Sequence, residues 1–196
     1  MKGSFIMSNF YISDPHFGHF NVIRYDDRPF RTLHEMEEVL TENWNKRVRP
    51  EDTTYILGDV SWLNNGADNR AILNSLNGKK ILIRGNHDKP MNQCRDCFEE
   101  IRDYARINDN GISVILFHYP IAFWDGQFHD SVHLYGHVHN SHQWHMFESW
   151  MKEARALQAI PMRAYNVGAM MDYMDYGPRT LNEIISKYGN LEVADK

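Results

Sequence analysis

Cysteine is scarce in this chain, and its scarcity excludes a protein held together by disulfides. The only two cysteines, Cys94 and Cys97, cannot build a disulfide framework, and their low number fits a reducing compartment. Their C-x-x-C spacing offers half a zinc site or a redox pair. Because no second such motif occurs, two plain thiols are the favoured interpretation.

Long apolar runs are also missing. No apolar run reaches the roughly 18 residues that a membrane-spanning helix needs. The stretch from Met1 to Asn9 lacks the apolar segment that is typical of a secretory signal. We therefore expect a cytoplasmic protein without membrane contact, and either Met1 or Met7 as its first residue.

Positive charge is not in excess, which argues against binding to nucleic acid through its phosphates. The chain has 21 basic and 26 acidic residues, a net charge of -5, whereas such binding needs a basic surface. Hydrophobic residues make up 42% and charged residues 24%, an ordinary globular composition that can bury a core. The length of 196 residues favours a single domain over residues 1–196.

Strand and helix signals alternate along the first half of the chain. Thr32 and Glu35 form a capping box that opens a helix, and Pro50 follows its end. This alternation predicts crossover units and a largely parallel sheet. The predicted elements are strands at 10–12, 55–57 and 81–83 and helices at 33–48 and 69–76.

The second half predicts a further sheet. Two apolar arms flank the turn sequence from Asn108 to Gly111, so a β-hairpin is expected. The predicted elements are hairpin arms at 104–107 and 112–117, strands at 133–135 and 164–167, and helices at 146–159 and 180–188. We therefore expect an α/β domain with two packed sheets.

Histidine is abundant, with 11 residues, and it is the commonest side-chain metal ligand. Five apolar strands each end in residues that suit metal binding, and active sites of open α/β sheets lie beyond such strand ends. Imidazole and carboxylate together suit zinc, manganese, iron, nickel or cobalt. The strand ends are Asp14-Pro15-His16, Gly58-Asp59, Gly85-Asn86-His87-Asp88, His118 and Gly136-His137-Val138-His139. Core or surface roles are favoured for His34, His129, His133, His142 and His145.

The ordered motifs DPH, GDV, GNHD, HYP and GHVH resemble the signature of the calcineurin-like metallophosphoesterase superfamily. They span residues 14 to 139 of the chain. The opening DPHFGH and the tail NVGAM are similar to a compact prokaryotic phosphoesterase subgroup. This resemblance implies a four-layer α/β/β/α sandwich of two mixed sheets, with two metal ions at the C-terminal edge of the strands.

The resemblance also implies a role for each motif residue. The first metal ion would be held by Asp14, His16, Asp59 and His139, and the second by Asp59, Asn86, His118 and His137. Both would be divalent or trivalent ions, with manganese favoured among Mn, Fe, Zn, Ni and Co. His87 corresponds to a histidine beside the substrate that does not bind metal. Asp88 is expected to orient His87, with a capping or turn role as the alternative.

These residues predict a hydrolase, a phosphodiesterase or phosphatase that acts on a small phosphoester or a nucleotide. A hydroxide bridging the two metal ions would attack phosphorus, and His87 would donate a proton to the leaving oxygen. Substrate contacts are expected from His19, Asn21 and Arg24, with Arg28 and Arg84 as further candidates and loop-fixing roles as the alternative. Trp62, Phe123 and Trp124 could stack on a base, although core packing is favoured.

Two other functions remain as alternatives. A nuclease or RNA-processing phosphodiesterase would share the metal ligands, but the acidic balance of the chain makes nucleic acid an unlikely partner. A non-catalytic scaffold of the same fold would be free to lose ligands, and this chain keeps all of them. The sequence does not predict an oligomeric state.

Overall fold

The computed structural model describes residues 7–158 and 162–194. These residues contain two mixed β-sheets and five α-helices. In chain order the strands are β1 (Asn9–Ile12), β2 (Thr53–Ile56), β3 (Lys79–Ile83), β4 (Glu100–Arg102), β5 (Tyr104–Asp109), β6 (Ile112–Phe117), β7 (Val132–Tyr135), β8 (Ala164–Asn166) and β9 (Arg179–Thr180). The helices are α1 (Val22–Tyr25), α2 (Leu33–Arg47), α3 (Gly66–Ser75), α4 (His142–Gln158) and α5 (Leu181–Ala194). Two 3₁₀ segments cover Lys89–Cys97 and Gln127–His129. The expected α/β class with two sheets is confirmed.

The first sheet has the strand order β4-β3-β2-β1-β9. Strands β1 to β4 run parallel, and β9 pairs with β1 in the antiparallel sense. In the register of this sheet, Ile56 lies opposite both Ile12 and Leu82. The segments that follow β1, β2 and β3 therefore leave the sheet at the same edge, as the crossover pattern predicts.

The second sheet has the order β5-β6-β7-β8, with β5 and β6 antiparallel and the others parallel. The β5–β6 hairpin is confirmed, but its turn is shorter than predicted, because Asn108 and Asp109 belong to β5. Asn110 and Gly111 alone form the turn, with φ of 50° and 89°. These left-handed values are typical of a two-residue turn whose twist matches its strands.

The two sheets meet at the edge where their parallel strands end. Ser13, just after β1, donates its backbone N–H to Val167 at 2.8 Å and accepts one from Ala169 at 2.8 Å. Alternating side chains of β6 divide between two cores. Val114 and Leu116 join a large core shared with the first sheet, whereas Ile115 packs in a smaller core that includes Met151 of α4.

Helix α2 shows how the sequence pattern produces the packing. Thr32 caps the helix by accepting the backbone N–H of Glu35 at 3.1 Å, as the capping box predicts. Met36, Leu40 and Trp44 follow at four-residue spacing and are all buried in the large core. Their common face fixes α2 against the first sheet.

Several elements differ from the sequence prediction. The short strands β4 and β9 and the single turn α1 have too little periodicity to be recognised. Helix α3 begins earlier, at Gly66, because Asn65 accepts the backbone N–H of Asp68 at 2.8 Å. The predicted end of α4, Ala159, lies outside the described residues. Within residues 7–158 and 162–194, no helix has the length and apolarity that crossing a bilayer requires.

We expect Tyr11→Phe to destabilise the junction of the two sheets. The Tyr11 hydroxyl of β1 donates a buried hydrogen bond of 2.7 Å to Asp109 Oδ2 of β5. Its loss removes a donor from a buried carboxylate and lowers the free energy of unfolding by about 1–3 kcal/mol. Urea unfolding measures this change. Tyr104→Phe, at a side chain that is 43% exposed, is the control. Equal stability of the two variants would contradict the expected role of the bond.

Candidate metal centre

The structure brings the residues from all five strand ends to one place. Two groups of side chains present ligand atoms that lie within 4.8 Å of one another. Each group draws on both sheets, because its members follow strands of each. The first group is Asp14, His16 and His139, and the second is Asp59, His118 and His137.

In the first group, two imidazole nitrogens face each other. His16 Nε2 lies 3.2 Å from His139 Nε2, and these nitrogens lie 3.9 Å and 3.5 Å from Asp14 Oδ1. Asp14 Oδ1 is buried and accepts no hydrogen bond from the described residues. A buried carboxylate oxygen without a donor is costly, and a cation between these three atoms would satisfy it.

In the second group, His118 Nε2 lies 3.6 Å from Asp59 Oδ2 and 3.1 Å from Asn86 Oδ1. The ring of His137 packs against the ring of His118, with centroids 5.1 Å apart. Asp59 Oδ2 is also 3.8 Å from His16 Nε2 of the first group. Asp59 therefore lies between the two groups and has one carboxylate oxygen within reach of both.

Five of the seven expected ligands have left-handed backbone conformations. Such φ values are uncommon for residues with a side chain, and they concentrate at functional sites. They turn the side chains at the strand ends toward one centre, whereas in a regular strand successive side chains would point to opposite faces of the sheet. The residues are Asp14 (φ 53°), His16 (55°), Asp59 (53°), His137 (68°) and His139 (48°).

Two glycines leave the space in which the carboxylates lie. A Cβ atom at Gly136 would overlap the side chains of Ser13 and Asp14. A Cβ atom at Gly85 would overlap Oδ1 of Asp59. Gly85 and Gly136 are therefore required by the close approach of neighbouring loops.

Hydrogen bonds to the far ring nitrogens orient two of the histidines. His118 Nδ1 lies 2.7 Å from the carbonyl oxygen of Leu57, which can only accept, so Nδ1 carries the proton. His139 Nδ1 lies 2.7 Å from Asp26 Oδ1 in the same way. In the neutral rings, Nε2 is then unprotonated and faces the centre, the arrangement in which histidine binds a metal ion.

Asp26 is in turn held by Arg28, a contact that the sequence does not predict. Arg28 is buried, and its Nε and Nη2 donate to Asp26 Oδ2 at 2.9 Å and 2.8 Å. Its Nη1 and Nη2 also donate to the carbonyl oxygens of Pro15 and Asp14, at 3.0 Å each. The guanidinium thus ties His139 to the loop of the first ligand pair, so the loop-fixing alternative is the one that the structure favours for Arg28.

The charges of the cluster favour bound cations. Although burial opposes their ionisation, nearby imidazoles lower the pKa of both Asp14 and Asp59. Burial alone would lower the pKa of His118 and His139, but the neighbouring carboxylates raise these pKa values to about 9 and about 10. His16 has the opposite balance, since its burial lowers its pKa to about 3. Ionised carboxylates thus attract positive charge into a buried site.

His87 lies beside the two groups without joining either. Its Nε2 is 4.0 Å from Asp59 Oδ2, and its side chain is 38% exposed. Its backbone N–H donates to Asp59 Oδ1 at 2.9 Å. This position agrees with a residue that faces the substrate and does not bind metal, which stays a prediction.

Asp88 does not orient His87, contrary to expectation. Its carboxylate accepts the backbone N–H groups of Asp59, Val60 and Gly85 at 2.8 Å, 2.9 Å and 2.7 Å. These bonds join the loops after β2 and β3, so the alternative turn-stabilising role is the one that the structure favours. Burial raises the pKa of this carboxyl group.

The expected substrate contacts differ in their distance from the centre. His19 is close, with its ring centroid 5.3 Å from that of His16. Asn21 is exposed and precedes α1, and the exposed Arg24 lies over the ring of Tyr25 at 5.8 Å. Within residues 7–158 and 162–194, no hydrogen bond, ion pair or ring contact joins Asn21 or Arg24 to the two groups, so their roles stay predictions.

The remaining singled-out residues divide between core and surface. Trp124 is buried and donates to Ser131, so the favoured core packing is confirmed for it. Phe123 is exposed and contacts Trp150 edge-on, with ring centroids 5.7 Å apart. His133 is a buried core histidine that accepts the backbone N–H of Ile121 at 3.1 Å. Cys94 and Cys97 are free thiols in the described structure.

We expect Asp26→Asn to weaken metal binding by roughly 10- to 100-fold, the usual cost of losing a partner behind a ligating histidine. An amide can offer its N–H₂ to His139 Nδ1 and so favour the wrong tautomer. Calorimetric titration with Mn²⁺ measures the affinity. Asp27→Asn removes the same charge at an exposed neighbour and is the matched control. If both variants bind Mn²⁺ equally, Asp26 does not position the histidine.

Comparisons with known proteins place the chain among uncharacterized relatives. No family model matches the sequence. The uncharacterized protein MJ1445 of Methanocaldococcus jannaschii is 40% identical over 132 residues, which cover 67% of this chain and 69% of that protein. The gene 66 protein of Mycobacterium phage D29 is 34% identical over 170 residues, covering 68% of this chain and 80% of the phage protein.

A solved structure extends the similarity to almost the whole fold. The crystal structure of the protein of unknown function AQ665 from Aquifex aeolicus matches with a TM-score of 0.68 and 29% identity. The match covers 92% of this chain and 99% of the other. On its identity to these relatives and its coverage of them, the chain belongs to the family of MJ1445 and the phage gene 66 protein.

Proposed function

We propose that the chain is a dinuclear metal-dependent phosphoester hydrolase. The observation that carries this proposal is the pair of ligand groups with Asp59 between them, since Asp59 Oδ2 is 3.8 Å from His16 Nε2 and 3.6 Å from His118 Nε2. Hydrolases that use two metal ions hold them roughly 3.5–4 Å apart, and a carboxylate within reach of both ligand groups suits such a pair. The order of the motifs along the chain and their resemblance to metallophosphoesterases support the same function.

The proposed architecture is the four-layer α/β/β/α sandwich with the metal site at the C-terminal edge of the strands. Side chains of α2, α3 and α5 join the large core, which also holds residues of both sheets. Helix α4 contributes to the smaller core on the other face of the second sheet. This division supports helices on both outer faces of paired sheets.

Mixed nitrogen and oxygen donors without thiolate suit manganese, iron, zinc, nickel or cobalt, and we favour manganese. When bound, the ions supply Lewis-acid polarisation of the phosphoryl oxygens and a lower pKa for water. The residues that would hold the first ion are Asp14, His16, Asp59 and His139. Those that would hold the second are Asp59, Asn86, His118 and His137.

The protein's own contribution to the reaction is orientation and proton transfer. Arg28 and Asp26 hold the ring of His139, and Asp88 holds the loops that carry Asp59 and Asn86. His87 lies on the exposed side of the centre, where its ring can donate a proton to the leaving oxygen. General acid catalysis of this kind typically contributes about 10²- to 10⁴-fold in rate.

The proposed substrate is a small phosphoester or a nucleotide, handled in the cytoplasm. The chain's net charge of -5 supports a small ligand over a nucleic acid held along its backbone. The ligand set is compatible with both monoesters and diesters. The exposed position of His87 supports a site that admits substrate from solvent.

Metal analysis combined with a substrate panel tests the proposal. We expect two equivalents of metal per chain after loading with Mn²⁺, and hydrolysis of bis(p-nitrophenyl) phosphate, p-nitrophenyl phosphate or both. Chelation should abolish turnover, and added Mn²⁺ should restore it. Binding of two ions without release of any phosphate or alcohol would leave a metal-binding scaffold instead of an enzyme. Failure to bind metal would remove the basis of the proposal.

Two variants separate the metal ligands from the proton donor. His118→Ala removes a ligand, so we expect loss of bound Mn²⁺ and of turnover together. His87→Ala should keep both ions, because its ring lies outside the ligand groups, and should lower kcat by about 10²- to 10⁴-fold. Metal content is measured beside rate for each. Metal loss in His87→Ala would make His87 a ligand, and full activity of His118→Ala would refute the assignment.

A further inference from the structure

We propose that Trp62 forms a stacking subsite for a planar aromatic ring on the leaving-group side of the metal centre. The inference rests on the proposed phosphoester hydrolysis and narrows its substrate to phosphoesters that carry such a ring, as nucleotides do. The aromatic ring of the substrate would lie beside His87, the expected proton donor to the leaving oxygen. This ring would therefore belong to the leaving group.

Trp62 is placed where core packing does not explain it. Its side chain is 45% exposed, whereas Trp44 and Trp124 are buried. Leaving an indole half exposed gives up part of the free energy that its burial would supply. Tryptophan side chains are enriched at binding interfaces, where part of the ring is apolar and part is solvated.

The indole is already held in a fixed orientation. The ring of His19 stacks on it in nearly parallel planes, with centroids 4.1 Å apart and an interplanar angle of 10°. His19 is itself buried, and Tyr25 lies edge-on to its ring at 6.2 Å. The backbone N–H of Trp62 donates to the carbonyl oxygen of Phe17 at 2.7 Å. A substrate ring would therefore meet a preorganised surface and would not have to order it.

The same indole lies against the expected proton donor. The rings of Trp62 and His87 have centroids 4.4 Å apart, and His87 lies 6.0 Å from His16 of the first ligand group. A cleft beside these two rings is lined by Ser61, Trp62, Asn64, His87 and Pro90. The cleft therefore lies on the side of the centre that His87 occupies, and a ring bound there would belong to the leaving group of the proposed reaction.

This arrangement also gives His19 a function. His19 carries no ligand atom in either group, yet its ring bridges the metal centre and the indole, at 5.3 Å from His16 and 4.1 Å from Trp62. It thus packs flat against the indole and holds its orientation. His19 is therefore a positioning residue in this proposal, and Trp62 makes the contact.

Paired ligands isolate the contribution of the ring. Adenosine 5′-monophosphate and ribose 5-phosphate carry the same phosphate and sugar, so their affinities for the Mn²⁺-loaded protein differ through the base. We expect the nucleotide to bind roughly 10- to 100-fold more tightly, the range that stacking of one base on an aromatic side chain gives. Isothermal titration calorimetry measures both dissociation constants. Equal affinities, or binding of neither ligand, would overturn the subsite.

Variants assign the difference to Trp62. Trp62→Ala should bring the ratio of the two affinities close to one, and Trp62→Phe should retain part of it. Phe123→Ala, at an aromatic side chain that is 68% exposed, is the matched control and should keep the wild-type ratio. Thermal unfolding and Mn²⁺ content establish that each variant is folded and loaded. An unchanged ratio in Trp62→Ala would refute the assignment.

The outcomes separate this subsite from the proposed function. If the protein hydrolyses simple phosphoesters but Trp62→Ala keeps the wild-type ratio of the two affinities, the proposed function holds and the subsite does not. If the ratio of the two affinities depends on Trp62 but the protein hydrolyses no phosphoester, Trp62 belongs to a nucleotide-binding site and the proposed enzymatic function fails. Binding and turnover are therefore measured on the same loaded preparations.

Discussion

The structure depends on holding two carboxylates and four imidazoles within a few ångströms of one another in a buried place. Packed this closely, ionised carboxylates repel and unprotonated ring nitrogens lack donors, so the cluster is unfavourable without positive charge. The carboxylates raise the pKa of His118 and His139, which favours positive charge in the cluster. In the proposed function, metal ions would supply that charge.

Each ligand group depends on the relative position of both sheets. Asp14 and His16 follow β1 of the first sheet, while His139 follows β7 of the second. Asp59 follows β2 of the first sheet, while His118 follows β6 of the second. A shift between the sheets would pull both groups apart at once. The backbone bonds of Ser13 at the junction therefore support the centre as well as the fold.

The ligand positions could be predicted from sequence because each one marks the end of an apolar strand. Parallel pairing then brings those ends to one edge of each sheet, whereas the meeting of the two edges depends on how the sheets pack. Asp26 and Arg28 lie outside any such pattern, in a loop between the first motif and α2, so nothing in the spacing connects them to His139. Their pairing depends on where that loop folds, which is a tertiary property.

Asp88 shows how proximity in sequence misleads. It follows His87 directly, and a carboxylate beside a histidine suggests a pair, yet successive side chains at a turn point in different directions. The three backbone N–H groups that it accepts come from two loops, and they can be paired only when β2 and β3 lie side by side. Buried backbone N–H groups require hydrogen-bond partners. Pairing three of them stabilises the fold more than one hydrogen bond to the ring of His87 would.

The left-handed backbone of the ligands links geometry to stability. A residue with a side chain is strained at positive φ, and five such residues in one centre cost free energy that the rest of the fold must offset. The buried bonds of Arg28 and Asp88 do this locally, since they fix the same loops that carry the strain. The fold itself therefore holds the centre in place, and Trp62 and His87 lie at its exposed side, where the proposed substrate would bind.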